Sequence, residues 1–319
     1  MTQPTTSPTT LDVLVVGGGA AGLSAATVLA RSLRSVLVLD TGAPRNAPAA
    51  GVHGLIGHDG LPPGELLARG RAELASYGGR VVSAEAVGSS RDGDRFEVRS
   101  ADGRTWSARH LVVATGARDV LPEVPGLREH WGRGVVHCPY CHGWEVRGSR
   151  VLLLATGPAA LHQAGLFGQL TDRLSVLAHE PDALDTAARE RLSVLGVPVL
   201  EGPALEVLGD GGVLTGVRTA RGVVPADAVA VASVVEARPG VLADLGVRTA
   251  ELEMAGSVVA RHVEADAMGR TSVPRVWVAG NVADPMAQVV MAAAAGVRVG
   301  ALVNAELVAE DQERRVAGS

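Results

Sequence analysis

One segment near the N-terminus constrains the fold more than any other. Residues 11–16, LDVLVV, form a short apolar run that meets the hexapeptide Gly17-Gly18-Gly19-Ala20-Ala21-Gly22. The Ala-rich stretch LSAATVLARSL follows with helical patterning, and then SVLVLD, a second apolar run closed by Asp40. Strand, glycine turn, helix and strand in this order open a doubly wound α/β domain. The hexapeptide fits G-x-G-x-x-G: Gly17 permits the tight turn, Gly19 lets the backbone approach a pyrophosphate, and Gly22 lets helix pack on strand. Ala20 and Ala21 begin a helix whose N-terminus offers N–H groups and positive dipole to phosphate. Asp40 stands where a ribose hydroxyl would be read. The pattern by itself does not separate FAD from NAD.

A second strand–turn–helix unit starts near residue 150 with RVLLLAT. Between the two units, residues 43–64 read as loop and 65–78 as an amphipathic helix. Residues 80–111 read as a small antiparallel meander turning at Asp102-Gly103. Beyond the second turn, strands are expected at 173–180 and near 197–201, 205–208, 213–218 and 228–232. VPRVWVAGN supplies a last strand before an Ala-rich helix from about Ala287 to Val308. Pro122, Pro125 and Gly126 break one register and the EARPG stretch breaks another. The expected architecture is α/β, with two Rossmann-like, three-layer nucleotide-binding domains, the second inserted into the first. Residues 11–117 and 241–319 form the first domain, residues 118–240 the second, and residues 1–10 a disordered tail.

The 319 residues suit two domains. No apolar run reaches the ~20 residues of a membrane span, and MTQPTTSPTT carries no signal-like core, so a soluble cytoplasmic protein is expected. A net charge of -5 with both signs interspersed gives no electrostatic case for nucleic acid or membrane partners. All 29 basic residues are Arg, which excludes lysine Schiff bases and the lysine-dependent phosphate loop.

The two cysteines are neighbours, Cys138-Pro139-Tyr140-Cys141, flanked by His137 and His142. In a reducing compartment such a pair means redox or metal chemistry more often than a structural disulfide. Zinc held by the two cysteines and two histidines would need all four ligands from six consecutive residues, which wrap a tetrahedron poorly, so no metal is expected. Inert thiols are the plainest alternative. A thiolate pair can attack a substrate disulfide and resolve the mixed intermediate, or run the same steps backwards. Protonated His137 or His142 would lower a thiol pKa, and His142 can carry protons near neutrality. Tyr140 and Trp144 are candidates to wall a small-molecule pocket.

The segment GVVHCPYCHGWE, together with VVGGGAAG and Asp40, resembles the low-molecular-weight thioredoxin reductase family. The resemblance runs along nearly the whole chain. It implies FAD as cofactor, with Ala114-Thr115-Gly116 as a second contact, Gly280-Asn281 at the ribityl chain and Gln288 opening the helix behind the flavin. It also implies Cys141 beside the flavin, Cys138 toward substrate, and a homodimer. Three positions depart from the family pattern: His142 replaces an Asp, Asn281 replaces another, and the second turn reads Ala155-Thr156-Gly157-Pro158-Ala159-Ala160. That turn lacks its first glycine, and Pro158 removes an N–H. The strand after it ends in His179-Glu180-Pro181-Asp182, acids where a 2′-phosphate needs arginine. Arg189 and Arg191 lie further along. These departures resemble the dithiol oxidases of holomycin- and gliotoxin-type biosynthesis. The implied function is oxidation of a small-molecule dithiol to an intramolecular disulfide, with O2 as acceptor and H2O2 as product. An NAD(P)H- or ferredoxin-fed thioredoxin or disulfide reductase is the alternative within the same chemistry, and a non-catalytic flavin redox sensor the alternative outside it.

Overall fold

The computed structural model describes residues 11–318, so the expected tail at 1–10 lies outside the described residues. β1 (Leu11–Val16), α1 (Ala20–Arg31) and β2 (Val36–Asp40) follow the reading of the glycine segment. α2 (Pro63–Ser76) starts two residues before the expected 65, because Pro63 has its φ preset for the first helical turn and needs no N–H there. β3 (Arg80–Ser83), β4 (Ala86–Asp92), β5 (Arg95–Ser100) and β6 (Thr105–Val113) complete the first half.

The meander expected over 80–111 needs correction. β3 leaves it and pairs parallel with β2 at the edge of the main sheet. Only β4, β5 and β6 run antiparallel. Its first half, at residues 105–108, continues that meander, while residues 108–113 pair parallel with β1. A β-branched run such as Arg80–Ser83 fits a parallel edge as well as a hairpin; the sequence pattern has no term for which neighbour it meets.

The chain crosses to the second unit through β7 (Ala117–Val120). β8 (Val135–Val136) precedes the four-residue helix α3 (Pro139–His142). Then come β9 (Val151–Ala155), α4 (Ala160–Gly168), β10 (Leu174–Ala178), α5 (Thr186–Val194), β11 (Val199–Glu201), the antiparallel trio β12 (Ala204–Asp210), β13 (Val213–Thr219) and β14 (Gly222–Pro225), and β15 (Ala228–Val231). The parallel sheet has the order β11-β10-β9-β15-β8. β9 alternates its side chains. Leu153 and Ala155 pack with Ala164 and Phe167 of α4, whereas Leu152 and Leu154 pack with Val207 and Val217 of the antiparallel trio. Two apolar faces on one strand are what a three-layer unit demands.

The return crossover β16 (Val234–Ala237) pairs antiparallel with β7. β17 (Thr249–Met254) and β18 (Ser257–Val263) extend that sheet. β19 (Val276–Val278) then lies parallel to β6, and α6 (Val289–Ala317) closes the first unit. The chain thus forms two Rossmann-like α/β units, the second inserted into the first.

α6 runs nine residues past the expected Val308. Its last turns are polar, and ion pairs rather than an apolar stripe hold them: Glu310 and Asp311 meet the buried Arg109 at 2.7 and 2.8 Å, and Asp311 meets Arg34 at 2.6 Å. α6 is also the one described helix long and apolar enough to cross a membrane. Its stripe Ala292, Gly296, Val299, Gly300, Val303 and Leu307 is buried, and the glycines let α1 approach closely. A β-carbon on Gly296 would stand 2.0 Å from the Ala21 carbonyl oxygen.

Candidate active site

A cavity of about 870 Å³ opens between the two units, within the range that small-molecule sites occupy. The residues expected from sequence to act at the site all line it except Gly22 and Trp144. Gly22 stands behind the turn: its β-carbon would meet the Gly17 carbonyl oxygen at 1.8 Å. Gly17 has φ +105°, in the region open to glycine, and a β-carbon there would meet the Ala114 carbonyl oxygen at 2.2 Å. Gly19 has no such neighbour, since nothing lies within 4 Å of where its β-carbon would be. The turn is therefore packed behind and open in front. The first bond of α1 runs from the Leu23 N–H to the Gly19 carbonyl, so Ala20, Ala21 and Gly22 lead with free N–H groups.

Asp40 accepts from the Gly18 N–H at 3.0 Å and from Arg71 at 3.1 Å. These bonds fix its carboxylate at the cavity wall, and a carboxylate retains further acceptor sites. Thr115 donates its hydroxyl to the Arg238 carbonyl, and the Arg238 N–H returns to the Gly116 carbonyl. This tie joins the outgoing and returning crossovers where they pass the glycine turn. Asn281 donates its amide to the carbonyls of Asp284 and Ala287 at 3.0 and 2.9 Å, which shapes the loop leading to Gln288 and α6.

Cys138 caps α3 and Pro139 begins it, with Cys141 one turn on. Both sulfurs stand as free thiols on the cavity wall. The hydrogen bond from Cys141, with the backbone N–H groups of Cys141 and Tyr140 and the charge of Arg45, outweighs burial and brings Cys138 down to about 7. Cys141 moves the other way, pushed up by its bond to Cys138 and by burial. The pair thus divides its labour: Cys138 carries the negative charge and Cys141 holds the proton.

The histidines do not act as the expected cations. Burial holds His137 and His142 below the ordinary histidine range, with Asp119 and Glu145 only partly opposing it. Both rings are neutral at pH 7. His137 stacks on Trp131, and both ring nitrogens of His142 are buried without a hydrogen-bond partner. Trp144 departs from its expected place as well. It is 68% exposed, away from the cavity, with the Arg147 guanidinium 4.0 Å over its ring. Tyr140 does line the cavity.

A pair that sequence reasoning missed sits beside the cysteines. Arg45, in the Pro-rich loop after Asp40, grips Asp119 of β7 with two bonds of 2.7 and 2.6 Å. The two are 74 positions apart, and only the fold brings them together. The one available signal was Arg45 itself, a charged residue amid PRNAP directly after a ligand-facing strand.

The second turn differs from the first. Ala155 ends β9 with its side chain in the core, and Ala159 caps α4 with no side-chain bond. After β10, His179 accepts from the Ala204 N–H, while Glu180 and Asp182 are exposed. Arg189 is occupied by Glu201 and the Leu184 carbonyl. Among the described residues no arginine stands between β10 and α5; Arg191, one turn of α5 further along, is exposed. Among the described residues no group of three or more His, Cys, Asp or Glu side chains converges as metal ligands would.

The family model described as pyridine nucleotide-disulphide oxidoreductase matches residues 11–296. The chain belongs to that family. It is similar to the solved structure of HlmI, at 40% identity and a TM-score of 0.89, covering 97% of this chain and 96% of that one. It is also similar to an oxidoreductase from Agrobacterium tumefaciens, at 29% identity and a TM-score of 0.87 over 94% of this chain and 99% of that one. Among curated proteins it is 37% identical to thioredoxin reductase tcpT of Claviceps purpurea over 58% of this chain and 60% of that protein. It is 40% identical to thioredoxin reductase sirT of Leptosphaeria maculans over 45% of each. The chain spans about half the length of these curated relatives.

FAD is the cofactor of this pyridine nucleotide-disulphide oxidoreductase family, and the first unit fits it. The glycine turn leaves open backbone at Gly19 and free N–H groups for a pyrophosphate, Asp40 offers acceptor oxygens, and the thiol pair opens on the same cavity.

Proposed function

We propose that this protein is an FAD-dependent dithiol oxidase that closes an intramolecular disulfide in a small-molecule natural-product dithiol, with oxygen as acceptor and hydrogen peroxide as product. The observation that carries the reading is the single cavity shared by the glycine turn and the Cys138–Cys141 pair. With FAD bound, the chemistry supplied is two-electron acceptance from the reduced pair and onward transfer to oxygen.

The residues divide as follows. A substrate thiolate attacks the Cys138–Cys141 disulfide at Cys138, and Cys141 leaves. The second substrate thiol attacks the substrate sulfur of the mixed disulfide, Cys138 leaves, and the cyclic disulfide is released. Two electrons have moved to the pair, which now holds two thiols. His142, neutral and without a competing hydrogen bond, is the base assigned to the thiol proton, with His137 behind it. Gly17, Gly19, Ala20, Ala21, Gly22 and Asp40 hold the dinucleotide. Ala114, Thr115, Gly116, Gly280, Asn281 and Gln288 hold the flavin side.

The altered turn after β9 and the acids after β10 support a route without nicotinamide. The thioredoxin reductase names of the curated relatives favour the alternative, an NAD(P)H-fed reductase. Peroxide release from an aerated dithiol with no nicotinamide present tests the oxidase reading. Flavin reduction by NADPH alone would replace it with the reductase. The protein is further proposed to work in the cytoplasm as a homodimer, with the outer face of α6 (Val290, Met291, Val297, Val308, all exposed) against the second copy.

A further inference from the structure

A thiolate at a Cys-x-x-Cys pair is stabilised by hydrogen bonds within the motif and, further, by a nearby cation. Lysine is absent from the chain, and burial keeps both flanking histidines neutral. Among the described residues two arginines line the cavity, Arg45 and Arg238, and Arg45 is the one whose charge favours both thiolates. It lines the cavity together with both cysteines. Its guanidinium is held by two partners. Two bonds go to Asp119, Asp119 in turn accepts from the Ser233 hydroxyl at 2.8 Å, and a third arginine contact reaches the Pro285 carbonyl at 3.4 Å. The loop after β2, both crossovers and the loop before α6 therefore converge on one cation. A bidentate arginine–carboxylate fork fixes direction as well as distance.

The charges around the pair are distributed unequally. Arg45 favours the ionised form of Cys138 and of Cys141. Asp119 acts on His137, and Glu145 and His53 act on His142. Tyr140 of α3, His162 of α4 and Arg238 after β16 are the other titratable groups on the inserted unit's side of the cavity wall. Clamping by Asp119 orients the fork while leaving its charge within reach of the sulfurs.

We propose that Arg45, clamped by Asp119, is a positioning residue that holds the thiolate of the Cys138–Cys141 pair in place through its fixed positive charge. The proposal rests on these two cysteines being the working pair, and it does not depend on which way electrons run.

The test is the pH profile of iodoacetamide alkylation at Cys138 in the reduced, flavin-containing protein, read by mass spectrometry. The wild type should show a midpoint of about 7. Arg45→Gln, which keeps an amide donor for Asp119 and drops the charge, should raise the midpoint by about one unit, roughly a tenfold loss of thiolate below it. Arg45→Lys, which keeps the charge and loses the fork, should displace the midpoint less than Arg45→Gln does. Should Arg45→Gln fail to fold, Arg45→Met is read the same way. An unmoved midpoint in a folded, charge-free variant overturns the proposal, as does a lysine variant displaced as far as the glutamine one. Loss of flavin with an unmoved midpoint also overturns it, and makes Arg45 a binding residue instead. Turnover is not the readout, so a wild type that oxidises no dithiol would sink the oxidase reading and leave this result standing.

Discussion

A β-carbon on Gly22 of α1 would lie 1.8 Å from the carbonyl oxygen of Gly17, so the helix touches the turn it springs from. The obstructing atom is backbone and cannot swing away. Gly22→Ala should cost about 1–3 kcal/mol, the usual range for overpacking, and should lower flavin content more than stability, because it displaces the open face of Gly19. Thermal melting and flavin absorbance of the purified variant check this; full flavin occupancy with an unchanged melting temperature would contradict it.

Cys138→Ser and Cys141→Ser should each reduce dithiol turnover by at least about a thousandfold, since each removes one sulfur of a two-sulfur relay. Both side chains lie apart from the glycine turn, so flavin content should be unchanged. Steady-state assay beside flavin absorbance gives the answer. Substantial turnover in either variant would remove the pair from the mechanism.

NADPH and NADH should bind with dissociation constants above about 1 mM, weaker than ~4 kcal/mol. Pro158 removes an N–H from the second turn, Glu180 and Asp182 face outward after β10, and Arg189 is engaged by Glu201. Calorimetric titration of the flavin-loaded protein checks it. Micromolar binding would mean that the turn still holds a nicotinamide dinucleotide.

Stability should fall as the solution is acidified from pH 7 to pH 5. Burial depresses the folded-state pKa of His110, His137 and His142. For a depressed group the stabilisation is complete above the unfolded value, about 6.5 for histidine, and is lost as pH falls toward the folded value, where the unfolded chain binds more protons. Melting temperatures at pH 8, 7, 6 and 5 read this out. His110 is fully buried against Glu310, and His110→Gln should flatten the slope. A melting temperature constant down to pH 5 would contradict the burial of these rings.

Much of the fold was legible because its signals are local. The apolar run, glycine turn, helix and acid at 11–40 are read within one stretch of chain, and the strands near 199, 204, 213 and 228 follow from short apolar runs. What escaped depends on partners distant in sequence. β3 joins β2 as a parallel edge, a choice its four residues do not encode. The end of α6 is held by Arg109, about 200 positions away. At the site, the cysteines announced themselves, whereas the charge beside them did not. Arg45 meets Asp119 across 74 positions. The neutrality of His137 and His142 comes from burial, which a loop-like sequence conceals.

The most direct test of the central claim is anaerobic mixing of the flavin-loaded protein with a small-molecule dithiol, followed by air. The account predicts that the 450 nm flavin band bleaches with the dithiol, without any nicotinamide. Air then restores it, with about one hydrogen peroxide and one cyclic disulfide formed per turnover. A flavin untouched by dithiols but bleached within seconds by NADPH would contradict it.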